Sequence, residues 1–81
     1  MFYTYILHSL PCDRYYIGHC EDLEKRLLRH NSKMVTTTKN RTPWTIVYYE
    51  EYLSRSEANQ RELYIKRMKS RKYIEKLIVN G

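Results

Sequence analysis

Phe2-Tyr3-Thr4-Tyr5-Ile6-Leu7-His8-Ser9, then Leu10-Pro11-Cys12-Asp13, then Arg14-Tyr15-Tyr16-Ile17-Gly18-His19 decide how this chain folds. The outer stretches are rich in aromatic and β-branched residues and read as strands. Between them, Pro11 fixes φ and Asp13 can bond its own backbone, which makes a turn. A hairpin that pairs Leu7 with Tyr16 sets Tyr5 opposite Gly18. Side chains alternate along a strand, so Tyr3, Tyr5, Leu7 and Tyr16 then share one face. A slip of one residue would send the two tyrosines to opposite faces. Gly18 has no side chain to fill the space beside Tyr5, so another group can approach the backbone there.

Working outward, Asp22 is an N-cap residue ahead of a helical run from Leu23 to about Asn31. Leu23, Leu27 and His30 form one stripe at i, i+4, i+7. Arg26 and His30 are four apart, hence neighbours on the helix surface, and are expected at the edge of the sheet face. Residues 32–43 form a polar connection long enough to be functional or mobile. Its threonines with Lys33, Lys39 and Arg41 can grip phosphates or simply form a solvated linker. Trp44 to Tyr52 alternates and reads as a third strand. With a helix in the crossover, this strand lies beside the first, giving a 2-1-3 antiparallel sheet.

Ser54-Arg55-Ser56-Glu57 is a capping box, followed by a helix to about Lys69. Its expected buried stripe is Ala58, Arg61, Ile65 and Met68, with Arg61 snorkelling and Glu62 alongside. Glu62 and Lys66 are spaced as an ordinary i, i+4 ion pair. Ser70 caps a last helix with Tyr73–Leu77 and Ile74–Ile78 pairs, and Asn80-Gly81 is its stop. The expected fold class is α+β, a three-stranded antiparallel sheet flanked by three helices, in a single domain over residues 1–81.

In 81 residues, 15 lysines and arginines face nine acids, for a net charge of +6. That balance points to polyanionic partners, nucleic acid first, although charge of this size also serves solubility. No apolar run approaches a membrane span, and Met1-Phe2-Tyr3-Thr4 lacks the pattern of a signal peptide. Cys12 and Cys20 lack zinc or CxxC spacing, so free thiols in a reducing cytoplasm are expected, with one disulfide as the alternative. Glycine-rich phosphate loops, HExxH and a Ser/His/Asp context are missing. The residues left with chemistry to offer are Tyr5, Tyr16, His19, Arg26, His30 and Glu62. Singly, each has an ordinary structural reading. In combination they suggest a site.

Taken together, these positions resemble the GIY-YIG nuclease family. Tyr5 matches its first tyrosine, and Tyr16-Ile17-Gly18 matches its second motif unchanged. Arg26 matches the helix arginine, His30 the residue four beyond it, and Glu62 the acidic metal ligand. Asp22 to Leu27, Thr42-Pro43-Trp44 and the run from Glu57 to Lys66 are similar to small stand-alone bacterial members. Tyr3-Thr4 departs from the Gly-Ile of the family name, which touches packing rather than chemistry. His19 stands where some members, such as the UvrC excision-repair subunit, carry lysine; it either plays a similar hydrogen-bonding part or faces solvent.

The resemblance implies a metal-dependent endonuclease that hydrolyses phosphodiester bonds, on DNA rather than RNA, with low sequence specificity and a possible preference for branched or single-stranded forms. It implies Mg²⁺ or Mn²⁺ held by Glu62 and water, Arg26 on the scissile phosphate, and Tyr5 or Tyr16 as proton acceptor with His30 orienting or relaying. Hard oxygen ligands suit such a cation, and a paired guanidinium suits the phosphate. Two other readings stand beside it: a nucleic-acid-binding module on the same fold without catalysis, and a small interaction protein whose basic face only solubilises it.

Overall fold

The computed structural model describes residues 1–32 and 40–81. Strands β1 (Phe2–Ser9), β2 (Arg14–Cys20) and β3 (Trp44–Tyr52) form one antiparallel sheet in the order β2-β1-β3. Helices α1 (Leu23–Asn31), α2 (Arg55–Met68) and α3 (Arg71–Asn80) flank it. The hairpin register is the expected one, with Tyr5 opposite Gly18 and Leu7 opposite Tyr16.

Each helix starts where a polar side chain satisfies a free backbone N–H. Asp22 accepts from the Lys25 N–H, Ser54 from Glu57 and Ser70 from Tyr73. Each such cap is worth about 1 kcal/mol. Helix α2 stops at Lys69, whose φ of 48° closes the last turn in the left-handed region. Met68, expected in the buried stripe, is 43% exposed. It sits on that last turn, where the helix ends, while Ala58 and Ile65 supply the buried contacts.

The two sheet faces carry different partners. On one, Tyr5, Leu7, Cys20 and Trp44 form a core against which Tyr3, Tyr16, Leu23, Leu27 and Ile46 pack, so α1 covers it. Burying side chains of this size stabilises by roughly 1.5–3 kcal/mol each. Asn31 clasps the start of β3: its amide accepts from the Trp44 N–H at 2.6 Å and donates to the Trp44 carbonyl at 3.0 Å. A bulge shifts the β1–β3 register between Ile6 and Leu7, which pair with Tyr48 and Ile46. The extra residue, Val47, restores parity, so that Trp44 and Tyr49 reach the same face despite their odd spacing.

The other face is covered by α2, whose Ala58 carbonyl accepts from Thr4 Oγ1 at 2.7 Å. There Glu50 of β3 accepts from the hydroxyls of Tyr48 and Tyr52 and from Arg61 Nε at 2.9 Å and Nη2 at 3.2 Å. Arg61 Nη1 continues to the Tyr73 hydroxyl on α3. Arg61 is thus an ion-paired tie between sheet and helices, where sequence had suggested a snorkelling chain. Those donors hold the Glu50 carboxyl below its ordinary value against the effect of burial. Glu50→Ala strands these donors together, so we expect a loss of about 1–3 kcal/mol in urea unfolding. The tip of the hairpin is anchored too: Asp13 accepts from His8 Nε2 at 2.9 Å and from Arg71 Nη2 at 2.7 Å.

Cys12 and Cys20 are both free thiols. Among the described residues no helix is long and apolar enough to cross a membrane. Lys33 and Lys39, offered above as phosphate contacts, lie outside the described residues; Arg41 presents its carbonyl to Ser9 Oγ at 2.5 Å.

Candidate active site

The sequence-predicted residues gather around one end of the edge strand β2. Tyr5 stands on the central strand, and its ring lies over Gly18. A Cβ added to Gly18 would meet the Tyr5 hydroxyl at 2.5 Å and its Cζ at 2.7 Å, with a Tyr16 ring carbon at 3.2 Å. Glycine is required here for space, and the tyrosine takes that space. The Tyr5 hydroxyl shares a hydrogen bond of 3.2 Å with His30 Nε2. The Tyr16 ring packs on His30 at 4.7 Å between centroids and lies 6.4 Å from Tyr5.

His30 is buried rather than placed at the edge of the sheet face as expected. It lies on the inward stripe of α1 with Leu23 and Leu27, and the gap left by Gly18 gives Tyr5 room to meet it. Burial, helped by the positive charges of Arg26 and Arg29, holds its imidazole down to about 4. The neutral ring is therefore the folded form, whereas the unfolded chain protonates near 6.5. Protonation favours the unfolded state, so stability is full above pH 6.5 and falls toward pH 4. We expect roughly 2–3 kcal/mol to be lost over that window in denaturant titrations. His30→Asn should flatten the slope there.

The Tyr5 hydroxyl is pushed above the usual phenol value, chiefly by burial and next by Tyr16, with Arg26 pulling the other way and Cys20 and Glu62 adding to the rise. Of these influences, Tyr16 is also placed beside Tyr5 by its ring, 6.4 Å away between centroids. Tyr16 is half-buried, and its hydroxyl has no hydrogen-bond partner among the described residues. Arg26 is half-buried and forms no ion pair with any of the described residues.

Glu62 comes from α2, on the opposite face of the sheet, where His19 at the end of the edge strand β2 meets it. His19 Nδ1 donates to its Oε1 at 2.6 Å, and Lys66 Nζ donates to its Oε2 at 2.6 Å. Sequence reading foresaw Lys66 and left His19 open. The signal was parity: His19 pairs with Thr4, and Thr4 faces α2. The Trp44 ring, edge-on to Tyr16 at 6.3 Å, was not foreseen. Among the described residues no group of three or more His, Cys, Asp or Glu side chains is placed to cage a metal ion.

Residues 1–74 match the GIY-YIG catalytic domain. The chain belongs to the GIY-YIG family. Its similarity extends to a UPF0213 protein of Staphylococcus saprophyticus, 40% identical over 67 residues, 82% of this chain and 80% of the relative. A UPF0213 protein of Clostridium perfringens is 38% identical over 69 residues, 84% of this chain and 73% of that one. Among solved structures, the solution NMR structure of a UPF0213 protein of Bacillus halodurans superposes with a TM-score of 0.62 at 30% identity, over 100% of this chain and 86% of that one. The GIY-YIG family is one of nucleases.

Proposed function

We propose that this protein is a metal-dependent endonuclease that hydrolyses phosphodiester bonds in DNA with little sequence preference. The observation that carries this reading is the Tyr5 hydroxyl seated on Gly18 and hydrogen-bonded to His30, with the Tyr16 ring packed beside both and Arg26 one turn before His30 on α1. A purely structural hairpin has no use for that convergence.

The roles divide by burial. Tyr5 is buried, keeps its proton and is held by neutral His30, so it positions rather than accepts. The Tyr16 hydroxyl has no hydrogen-bond partner among the described residues and, as its phenolate, is the better acceptor for the proton of the attacking water. Arg26, with no ion pair among the described residues, offers its fork to the scissile phosphate, where charge builds as the bond breaks. The donor chemistry of Glu62 fits a hard divalent cation that keeps most of its water, Mg²⁺ or Mn²⁺. Glu62 would hold it, with Lys66, whose side chain is 48% exposed, turning out to solvent. When bound, such a cation supplies charge relief and an acidified water. His19, on the other carboxylate oxygen, orients Glu62.

The test is incubation of the purified protein with supercoiled plasmid, single-stranded and branched DNA, with Mg²⁺, Mn²⁺ or EDTA. Nicks that need the metal support the reading. A protein that binds these substrates and cuts none under any condition is instead a binding module on the same fold.

A further inference from the structure

Beside the site lies a cleft of about 260 Å³, walled by Lys25, Arg26 and Arg29 of α1 and by Arg55 at the start of α2, with Cys20 at the end of β2. Arg26 lines this cleft and stands one turn before His30, the partner of Tyr5, on α1, so the two are contiguous. Both guanidiniums, Arg26 and Arg55, also bear on the buried Cys20 thiol, whose proton burial otherwise holds in place.

The charges in the cleft are unequally engaged. Glu21 and Asp22 also line it. Glu21 pairs with Arg55 at 3.5 Å, and Asp22 caps α1. Arg55 is steadied further by its guanidinium lying 5.0 Å from the centre of the Phe2 ring. Lys25, Arg26 and Arg29 make no ion pair with any of the described residues. Lys25 and Arg29 are four apart and therefore side by side, about 6 Å along the helix. That pair of cations, uncommitted among the described residues, brackets Arg26 along the helix axis.

We infer that this cleft is the track for the phosphodiester backbone next to the scissile phosphate, with Lys25 and Arg29 gripping a flanking phosphate of the strand held by Arg26. The inference rests on the nuclease reading and adds to it a path: the strand runs along α1, between that helix and Arg55 at the start of α2. Arg55, tied to Glu21, forms the far wall of the track.

The experiment is binding of a short fluorescein-labelled single-stranded oligodeoxynucleotide in EDTA, followed by anisotropy across a salt series. The full chain is compared with Lys25→Gln/Arg29→Gln, which keeps helix-forming residues at exposed positions. A second pair, Lys72→Gln/Lys76→Gln, removes equal charge from α3. The cleft pair should weaken binding about tenfold or more and reduce the salt slope by about 1.4, two contacts at ~0.7 each for single strands. The α3 pair should change affinity less than about twofold, and Lys25→Arg/Arg29→Lys should restore it, as expected of phosphate contacts made by charge. Equal losses from both pairs, or wild-type binding by the cleft pair, would overturn the inference. The readout needs no cleavage, so it is separable from the nuclease reading. Binding lost with the cleft pair in a protein that cuts nothing leaves the track and removes the nuclease. Cutting by a protein indifferent to the cleft pair does the reverse.

Discussion

Glu62→Gln is expected to lower metal-dependent nicking by about 10²–10³-fold or more, the scale on which one pre-placed electrostatic group counts. The replacement keeps the shape of the side chain and an acceptor for Lys66, but removes the charge that attracts a cation. The fold should survive. Glu62 is held by an imidazole at the β2 edge and by a half-exposed lysine, and the amide keeps hydrogen-bonding groups for both, so the loss should stay near the net worth of one hydrogen bond, about 1 kcal/mol. Removing an anion beside the phosphate should leave strand affinity unchanged or slightly raised. Nicking assays on plasmid with graded Mn²⁺, together with anisotropy in EDTA, separate these effects. Wild-type nicking by this variant would remove the catalytic reading.

Arg26→Ala should slow cleavage by about 10³-fold, in the range of arginines that stabilise charge at a transferring phosphoryl group. Arg26→Lys should recover only part of this, because an ammonium keeps the charge and loses the two-pronged geometry. Melting temperature should move little, since the guanidinium makes no ion pair with the described residues. A second readout is independent of cleavage. Arg26 helps to hold the His30 imidazole down, so its loss should raise the His30 titration point seen by NMR. A large fall in melting temperature with unchanged single-turnover rate would instead make Arg26 a structural residue.

The sequence made the hairpin register legible because aromatic alternation and the Pro11–Asp13 turn leave one pairing that buries Tyr5 and Leu7 together. It made the helix starts legible because Asp22, Ser54 and Ser70 are capping residues with clear spacing. The bulge at Val47 was hidden, since one extra residue leaves a strand's composition unchanged and only the pairing reveals it. The depth of His30 was hidden for a related reason. A helical stripe says which way a histidine points, but the room to bury it came from a glycine on another strand. Glu50 and Arg61 meet across the β3–α2 packing, a contact no local spacing encodes. Of the candidate site, the residue types were readable in order along the chain. That Glu62 arrives from the far side of the sheet, steered by His19, was not.

The seat of Tyr5 on Gly18 ties two positions thirteen residues apart into a single inherited unit. Any β-carbon at position 18 would collide with the ring carbon of the tyrosine as well as its oxygen, so trimming the oxygen alone gives no relief. A lineage drifting away from glycine would therefore have to surrender the aromatic on the neighbouring strand in the same step. Library screens that vary positions 5 and 18 jointly should recover glycine with tyrosine or phenylalanine, and bulkier residues at 18 only beside a much smaller residue at 5.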